Sequence, residues 1–297
     1  MVREKMRLRW SKRISLFDIA NVLLLGIFAC CMLFPFIHMA AVSISSAEYV
    51  TSNRISFWPR GIHWDAYKSV LKDNRILIGY KNTLIYVTVG TTLSLIFTTL
   101  GAYALSRKVL VFGKTFMLLI VFTMLFSGGL IPNYLVVRSY GLLDTRWAII
   151  LPSLVSSYFL IIMRTFFQGI PSELEESGKI DGLSDLGNLW RIVLPLSKPV
   201  MMTIGLFYAV QIWSNFFSAL IYIRDASLYP LQVTIRNIVL IGQVSDTTVT
   251  TAMGDKPIVL ESLKYAVILV GTLPILLIYP FIQKHFVQGA TLGSVKG

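Results

Sequence analysis

Charge is scarce in this chain. Of 297 residues, 14% are Asp, Glu, Lys or Arg, against 55% hydrophobic. A soluble globular domain carries about 25% charged residues, so an ordinary soluble domain is excluded. Cysteine is almost missing, with only Cys30 and Cys31, side by side in an apolar run. Neighbours on a helix point about 100° apart and do not readily bridge, so no disulfide framework or redox pair is implied. The three histidines, His38, His63 and His285, lie far apart, and no metal site is expected. Apart from His38, the centres of the long apolar runs hold no ionisable residue. Proton-coupled carriers and ion pumps place such groups inside the membrane, which argues against an H⁺-driven carrier. No carboxylate pair, Ser/His/Asp set or Cys/His set falls at a common depth, so a membrane enzyme is not expected either. Alternating segments of about ten residues, the mark of a transmembrane barrel, do not occur.

What the chain has is length of hydrophobic run. Six stretches, roughly 17–42, 82–105, 115–137, 147–168, 199–223 and 264–283, approach or exceed the ~20 apolar residues needed to cross a bilayer core. Backbone groups there must be satisfied internally, so each span should be a helix. The expected fold class is all-α: a polytopic membrane protein with six transmembrane helices. Residues 1–16 read as a cytoplasmic tail and 17–297 as one transmembrane domain. The net charge of +12 is topological rather than a sign of nucleic acid, because Arg3, Lys5, Arg7, Arg9, Lys12 and Arg13 precede the first span. Basic flanks stay inside, which places both termini in the cytoplasm of a cell-membrane protein. Arg107, Lys108 and Lys114 fall inside as well; the outer bases Arg54, Arg60, Lys68, Lys72 and Arg75 weaken the asymmetry. The first run exceeds a signal-peptide core and reads as an uncleaved anchor.

Between spans, Ile62, Trp64, Tyr67, Val70 and Leu71 keep near-helical spacing. Two readings are open: a helix lying on the outer membrane face, or one packed against neighbouring spans. Span two is rich in Thr and Gly, which lets helices approach closely. Ser127-Gly128-Gly129 followed by Pro132 should bend or break span three, either beside a translocation path or as a packing kink. Pro35 marks a further bend. The 222–262 segment is polar, with Ser245 to Thr251 near its centre, and should face outward.

The most informative stretch is 171–198, a polar loop between two spans. Ser172 followed by Glu175 is a capping-box pattern, and Glu173, Glu175 and Glu176 suit a helix N-terminus. Gly182 is a natural left-handed terminator. Ser184 or Asp185 can cap a second helix, where Leu183, Leu186, Trp190 and Val193 form one apolar stripe that Pro195 ends. That stripe rests either on the chain's own helix ends or on a partner. The segment's acidic start, without clustered bases, excludes a DNA-binding helix-turn-helix. Gly113-Lys114-Thr115 imitates the end of a phosphate-binding loop, but Lys108 stands where its first glycine is required.

Span five carries Tyr208, Gln211, Asn215, Ser218 and Tyr222 at i, i+3, i+7, i+10 and i+14. Amides and aromatic rings suit a sugar, giving hydrogen bonds to hydroxyls and flat faces for rings. The same groups also serve as glue between helices.

Glu176-Ser177-Gly178-Lys179-Ile180-Asp181-Gly182, followed by Ile192-Val193-Leu194-Pro195, resembles the EAA loop of ATP-binding-cassette importer permeases. That motif runs Glu-Ala-Ala, three residues, Gly, nine residues, Ile-x-Leu-Pro; Ser177 and Gly178 replace its alanines. Gly178 should weaken the helix by roughly 1 kcal/mol. Phe126 to Pro132, Leu228 to Gln232 and the tail Gln283 to Gly297 are similar to the maltose-permease class of sugar importers, in the branch handling oligosaccharides from complex polysaccharides. The resemblance implies a translocation subunit without catalysis or cofactor of its own, ATP and Mg being held by a partner. It implies that Glu176, Ser177, Gly178, Asp181, Gly182, Ile192, Leu194 and Pro195 couple to that ATPase. The implied partners are a second permease, two ATP-binding subunits and an extracellular solute-binding protein. The implied substrate is an oligosaccharide, moved by alternating access. Import of an amino acid or polyamine, or an ATP-independent facilitator, stays open as an alternative.

Overall fold

The computed structural model describes residues 16–107, 109–244 and 260–294, with the side chains of 241–244 and 280–294 left outside the description. The basic tail, Lys108, the 245–251 segment and the side chain of His285 therefore lie outside the described residues. Every regular element among the described residues is helical. In chain order these are α1 (Leu16–Ser43), α2 (Ala47–Thr51), α3 (Asp65–Lys72), α4 (Asn74–Ser106), α5 (Gly113–Leu125), α6 (Leu130–Ser139) and α7 (Trp147–Ile150). They continue with α8 (Ser157–Gln168), α9 (Ser172–Ile180), α10 (Asp185–Asn188), α11 (Leu194–Leu196), α12 (Lys198–Trp213), α13 (Phe217–Tyr222), α14 (Leu231–Val244) and α15 (Leu260–Ser294). Short 3₁₀ turns follow α7 and precede α14, and a π turn, Leu189–Val193, joins α10 to α11.

Among the described residues, three helices are long and apolar enough to cross a membrane: Leu16–Ser43, Asn74–Ser106 and Leu260–Tyr279. α5 and α6 qualify only together, across a 116° bend, as do Trp147–Ser153 and α8 across 49°. The first of these breaks falls where Ser127-Gly128-Gly129 predicts it, with Gly129 at φ +82°. The expected run 199–223 is α12 and α13, interrupted at Ser214–Phe216. α1 runs on through Pro35.

The chain divides into two compact units, Met1–Tyr67 with Thr247–Ala266, and Lys68–Asp246 with Val267–Gly297. In the first, Ala41 and Val42 of α1 bury against Val50 and Ile55, with Tyr49 and Tyr265 beside them. Ser262 Oγ donates to the Val42 carbonyl at 3.3 Å. From Leu16 to Ile37 the apolar side chains of α1 stay open to the surroundings, as a helix that is hydrophobic all round does when lipid is its solvent. The surface helix expected from Ile62 begins only at Asp65. It buries Ala66 and Val70 while Ile62 and Trp64 precede it and stay exposed, which favours the packed reading.

In the second unit α4 is the axis, flanked by α8, α12 and α14. Its small residues allow this, since a Cβ at Gly90 would stand 2.8 Å from Ile212 Cδ1. One end of α4 is tied to the backbone of the 227–231 stretch. Asn82 Nδ2 donates to the Ser227 and Tyr229 carbonyls at 2.7 and 3.1 Å, and Tyr86 donates to Leu228 O at 2.8 Å. Thr83 Oγ1 accepts from Leu231 N at 2.8 Å. A second core, of Ala102, Tyr103, Met163, Phe167, Leu189, Val193, Ile204 and Tyr208, gathers toward the opposite end. There Arg164, an ionisable residue within the fourth apolar run but off its centre, donates through Nε to Leu105 O at 2.9 Å.

Candidate functional site

The 171–198 loop folds as a helical hairpin. Pro171, in extended backbone, precedes α9, whose first turn carries Glu173 and Glu175 and whose last turn carries Lys179, the polarity a helix dipole favours. The capping box does not form. Ser172 is already helical, Pro171 stands at the cap position, and no side chain caps the helix. Glu175 turns instead to Arg107.

α9 ends on a left-handed glycine: Gly182 has φ +81°. Leu183 N–H reaches back to the Gly178 carbonyl at 2.8 Å and Gly182 N–H to Lys179 O at 3.0 Å. These bonds satisfy end carbonyls that no further turn would meet. Ser184 then caps the second helix, its Oγ accepting from Gly187 N at 3.2 Å.

That second helix departs from the expected register. Its middle turn, Leu189–Val193, is π, and such a turn spends an extra residue per revolution. The predicted stripe of Leu183, Leu186, Trp190 and Val193 therefore splits. Val193 is fully buried with Leu189 and Asn188, while Leu186 and Trp190 face outward, Trp190 at 69% exposure. Pro195 does not end the helix. It sits in the first turn of α11, which runs to Leu196 before the chain bends 84° into α12.

Gly178 has a reason beyond helix strength. It is buried, and a Cβ there would stand 2.2 Å from Asn188 Oδ1 and 2.8 Å from Ile192 Cδ1. α9 thus lies directly on the π turn, and Asn188 Nδ2 donates to the Glu175 carbonyl at 3.2 Å. The expected cost of glycine at this position is set against a close approach that alanine would block.

The remaining coupling residues are placed as follows. Glu176, Ser177, Asp181, Gly182 and Pro195 are exposed, and Ile192 and Leu194 are half-buried. Ile180, at 86% exposure, adds an apolar side chain to the open side of α9. Lys179 and Asp185 approach to 3.4 Å on the surface, a geometry worth little in water.

Of three residues that sequence reasoning did not assign, Arg107 and Tyr103 fix the hairpin to α4 and Asn188 joins its two helices. Arg107 follows the last turn of α4 and pairs with Glu175. Its guanidinium carbon lies 3.8 Å above the Tyr103 ring centroid, and burial pulls its pKa below the ordinary value, though an arginine stays a cation. Tyr103 donates to the Asp185 carbonyl at 2.8 Å, and buried Asn188 completes the set.

The span-five residues do not share a face. α12 ends at Trp213, and Asn215 Oδ1 caps Ser218 N at 3.2 Å to restart the chain as α13. Tyr208 is 1% exposed. Its hydroxyl meets Thr98 Oγ1 at 2.8 Å and accepts from Ser156 N at 2.9 Å, serving the backbone freed where α8 begins. Tyr222 is buried and stacks on Tyr134, 6.3 Å between ring centroids. Gln211 is exposed and Asn215 and Ser218 are partly so. Among the described residues no His, Cys, Asp and Glu group could hold a metal.

Apolar candidate spans, several of them broken, together with a polar helical hairpin, are the architecture of a polytopic helical membrane protein. Residues 109–291 match the family described as the binding-protein-dependent transport system inner membrane component. The chain belongs to that family and is a permease subunit of an ATP-binding-cassette importer. It is 46% identical over 285 residues to the polygalacturonan/rhamnogalacturonan transport system permease protein YtcP of Bacillus subtilis (strain 168), covering 95% of this chain and 99% of that one. It is 45% identical over 282 residues to protein LplC of the same organism, covering 95% of each. Among solved structures, it matches a bacterial ABC transporter involved in import of the acidic polysaccharide alginate at TM-score 0.87 and 36% identity. That match covers 93% of this chain and 99% of the other.

Proposed function

We propose that this permease imports an acidic oligosaccharide released from a complex polysaccharide, driven by ATP hydrolysis on separate subunits. The observation that carries the coupling role is the hairpin itself. It is braced on one side by Gly178, Asn188 and α4, and it presents Glu176, Ile180, Leu186 and Trp190 on the other. An ordered apolar and acidic face needs a cover, and a cytoplasmic ATPase groove supplies one. The residues proposed to seat it are Glu176, Ser177, Asp181 and Gly182, Gly178 acting from the inner side by setting α9 on the π turn, with Ile192, Leu194 and Pro195 carrying its motion into α12. The names of the similar permeases and of the alginate importer support the substrate class.

In this reading the six spans form a single permease domain with both termini and the hairpin in the cytoplasm. A second permease, two ATPases and an extracellular binding protein complete the assembly. The substrate path runs by the interruption between α12 and α13, where Gln211, Asn215 and Ser218 offer amides and a hydroxyl; broken helices at membrane depth commonly line such paths. Tyr208 and Tyr222 hold that interruption in shape.

Purified chain co-expressed with its neighbouring ATPase should retain that ATPase on pull-down and lose it on Gly182→Asp. Unchanged retention after that substitution overturns the coupling role. Uptake of galacturonate and alginate oligomers, set against neutral maltodextrins, amino acids and polyamines, tests the substrate; preference for maltodextrins overturns its acidic character, and preference for either of the last two overturns carbohydrate import.

A further inference from the structure

The hairpin continues covalently into α12 across an 84° bend at Ser197. The hairpin is also held on α4 through both of its helices. α9 is held by the Glu175–Arg107 pair, and α10 by Tyr103, which donates to the Asp185 carbonyl at 2.8 Å. Asn188, 0% exposed, ties these two halves together through the Glu175 carbonyl at 3.2 Å. The Tyr103 ring lies under the Arg107 guanidinium at 3.8 Å, so one aromatic side chain supports the cation and bonds the second helix. The side chains of Arg107 and Glu175 are 25% and 13% exposed, which removes most of the screening that makes surface pairs weak. α4 in turn packs along α8, α12 and α14.

We propose that Arg107, Tyr103 and Glu175 form a clasp that carries the movement of the hairpin directly into α4. These are positioning residues, acting through the hairpin and touching neither ATP nor solute. The proposal rests on the hairpin being the ATPase dock, and it adds a second route of transmission beside the chain link into α12. When the hairpin is pushed, α4 is displaced with it, and α8 and α14 follow because they pack on α4.

The test uses the complete transporter reconstituted in proteoliposomes, with three readouts: membrane abundance, ATPase retained on pull-down, and solute imported per ATP hydrolysed. Arg107→Glu and Glu175→Arg should each retain the ATPase and lower solute per ATP about tenfold, within the range that couplings between sites span. The exchanged pair, Arg107→Glu with Glu175→Arg, should return the ratio to within about threefold of the parent. Tyr103→Phe removes one hydroxyl and keeps the ring, so it reports even where the charge variants fail to insert; its ratio should fall by a factor of about two to five. A parental ratio in Tyr103→Phe, or in both single charge reversals, overturns the clasp, as does an exchanged pair no better than either single. Loss of ATPase retention by the parent chain would instead refute the docking role of the hairpin.

Discussion

The two ends of α4 are fastened by different chemistry. At one end Asn82, Thr83 and Tyr86 bond the backbone of residues 227–231, and Asn82 Oδ1 also receives Arg146 Nη2 at 3.3 Å. Asn82 and Thr83 are 2% and 1% exposed. Buried amide, hydroxyl and phenol groups meeting backbone carbonyls and one amide, with a single cation, Arg146, joined to Asn82, make this joint. At the other end the fastening is an ion pair, a cation over a ring and a single phenol, beside a surface still open to a partner. Removing one partner of such a pair leaves an uncompensated charge, so the two groups are held to one another's position. The comparison teaches that one end of this helix is anchored and the other is gripped.

The largest effect expected is at the gripped end. Gly182→Val forces a β-branched residue to φ +81°, a strain of about 1–3 kcal/mol. It should cut ATPase retention and uptake about 10- to 100-fold while membrane abundance holds. Gly182→Asn, which tolerates the left-handed region, should stay within about threefold of the parent; equal loss in both would show that space, not backbone, matters there. At the anchored end, Asn82→Ala leaves two carbonyls and Arg146 without their partner, costing about 1–3 kcal/mol. Less permease should reach the membrane, with uptake per molecule unchanged. Reduced uptake per molecule would make that end part of the moving machinery.

Gly178→Ala presses a methyl into Asn188 and Ile192, an overpacking of about 1–2 kcal/mol. Thermal unfolding in detergent should show it, and adding Asn188→Ala should recover part of the loss. The smallest effect belongs to Asp225, fully exposed, whose carboxyl is held below its ordinary value by hydrogen bonds from Ser227. A lowered carboxylate stabilises above its unfolded pKa of about 4 and loses that contribution as pH falls through the folded value. Asp225→Asn should therefore change uptake less than about twofold near neutrality, and any small difference in unfolding should be present at neutral pH and vanish in acid.

The hairpin was legible because its signals are local: a terminating glycine at 182, a capping serine at 184, acids before bases in α9. Its packing was not, because a π turn shifts register without changing composition, and Leu189 rather than Leu186 went inside. Ser127-Gly128-Gly129 announced the break in span three in the same local way. In span five, periodicity was carried across Asn215, which restarts the helix and resets the phase, so five polar residues in step ended in different surroundings. Arg107 and Tyr103 meet the hairpin from at least 68 residues away, and a single chain offers no sign of such a meeting.

Five residues in the π turn of the hairpin occupy a girth that an α-helix would fill with fewer. Winding the same five residues as an α-helix would add about one residue's turn and swing everything before it by about 100°. Trp190 and Leu186 would then present themselves to a different quarter of their surroundings. The direction in which this subunit offers its hand is thus written in a count of residues as much as in their kind.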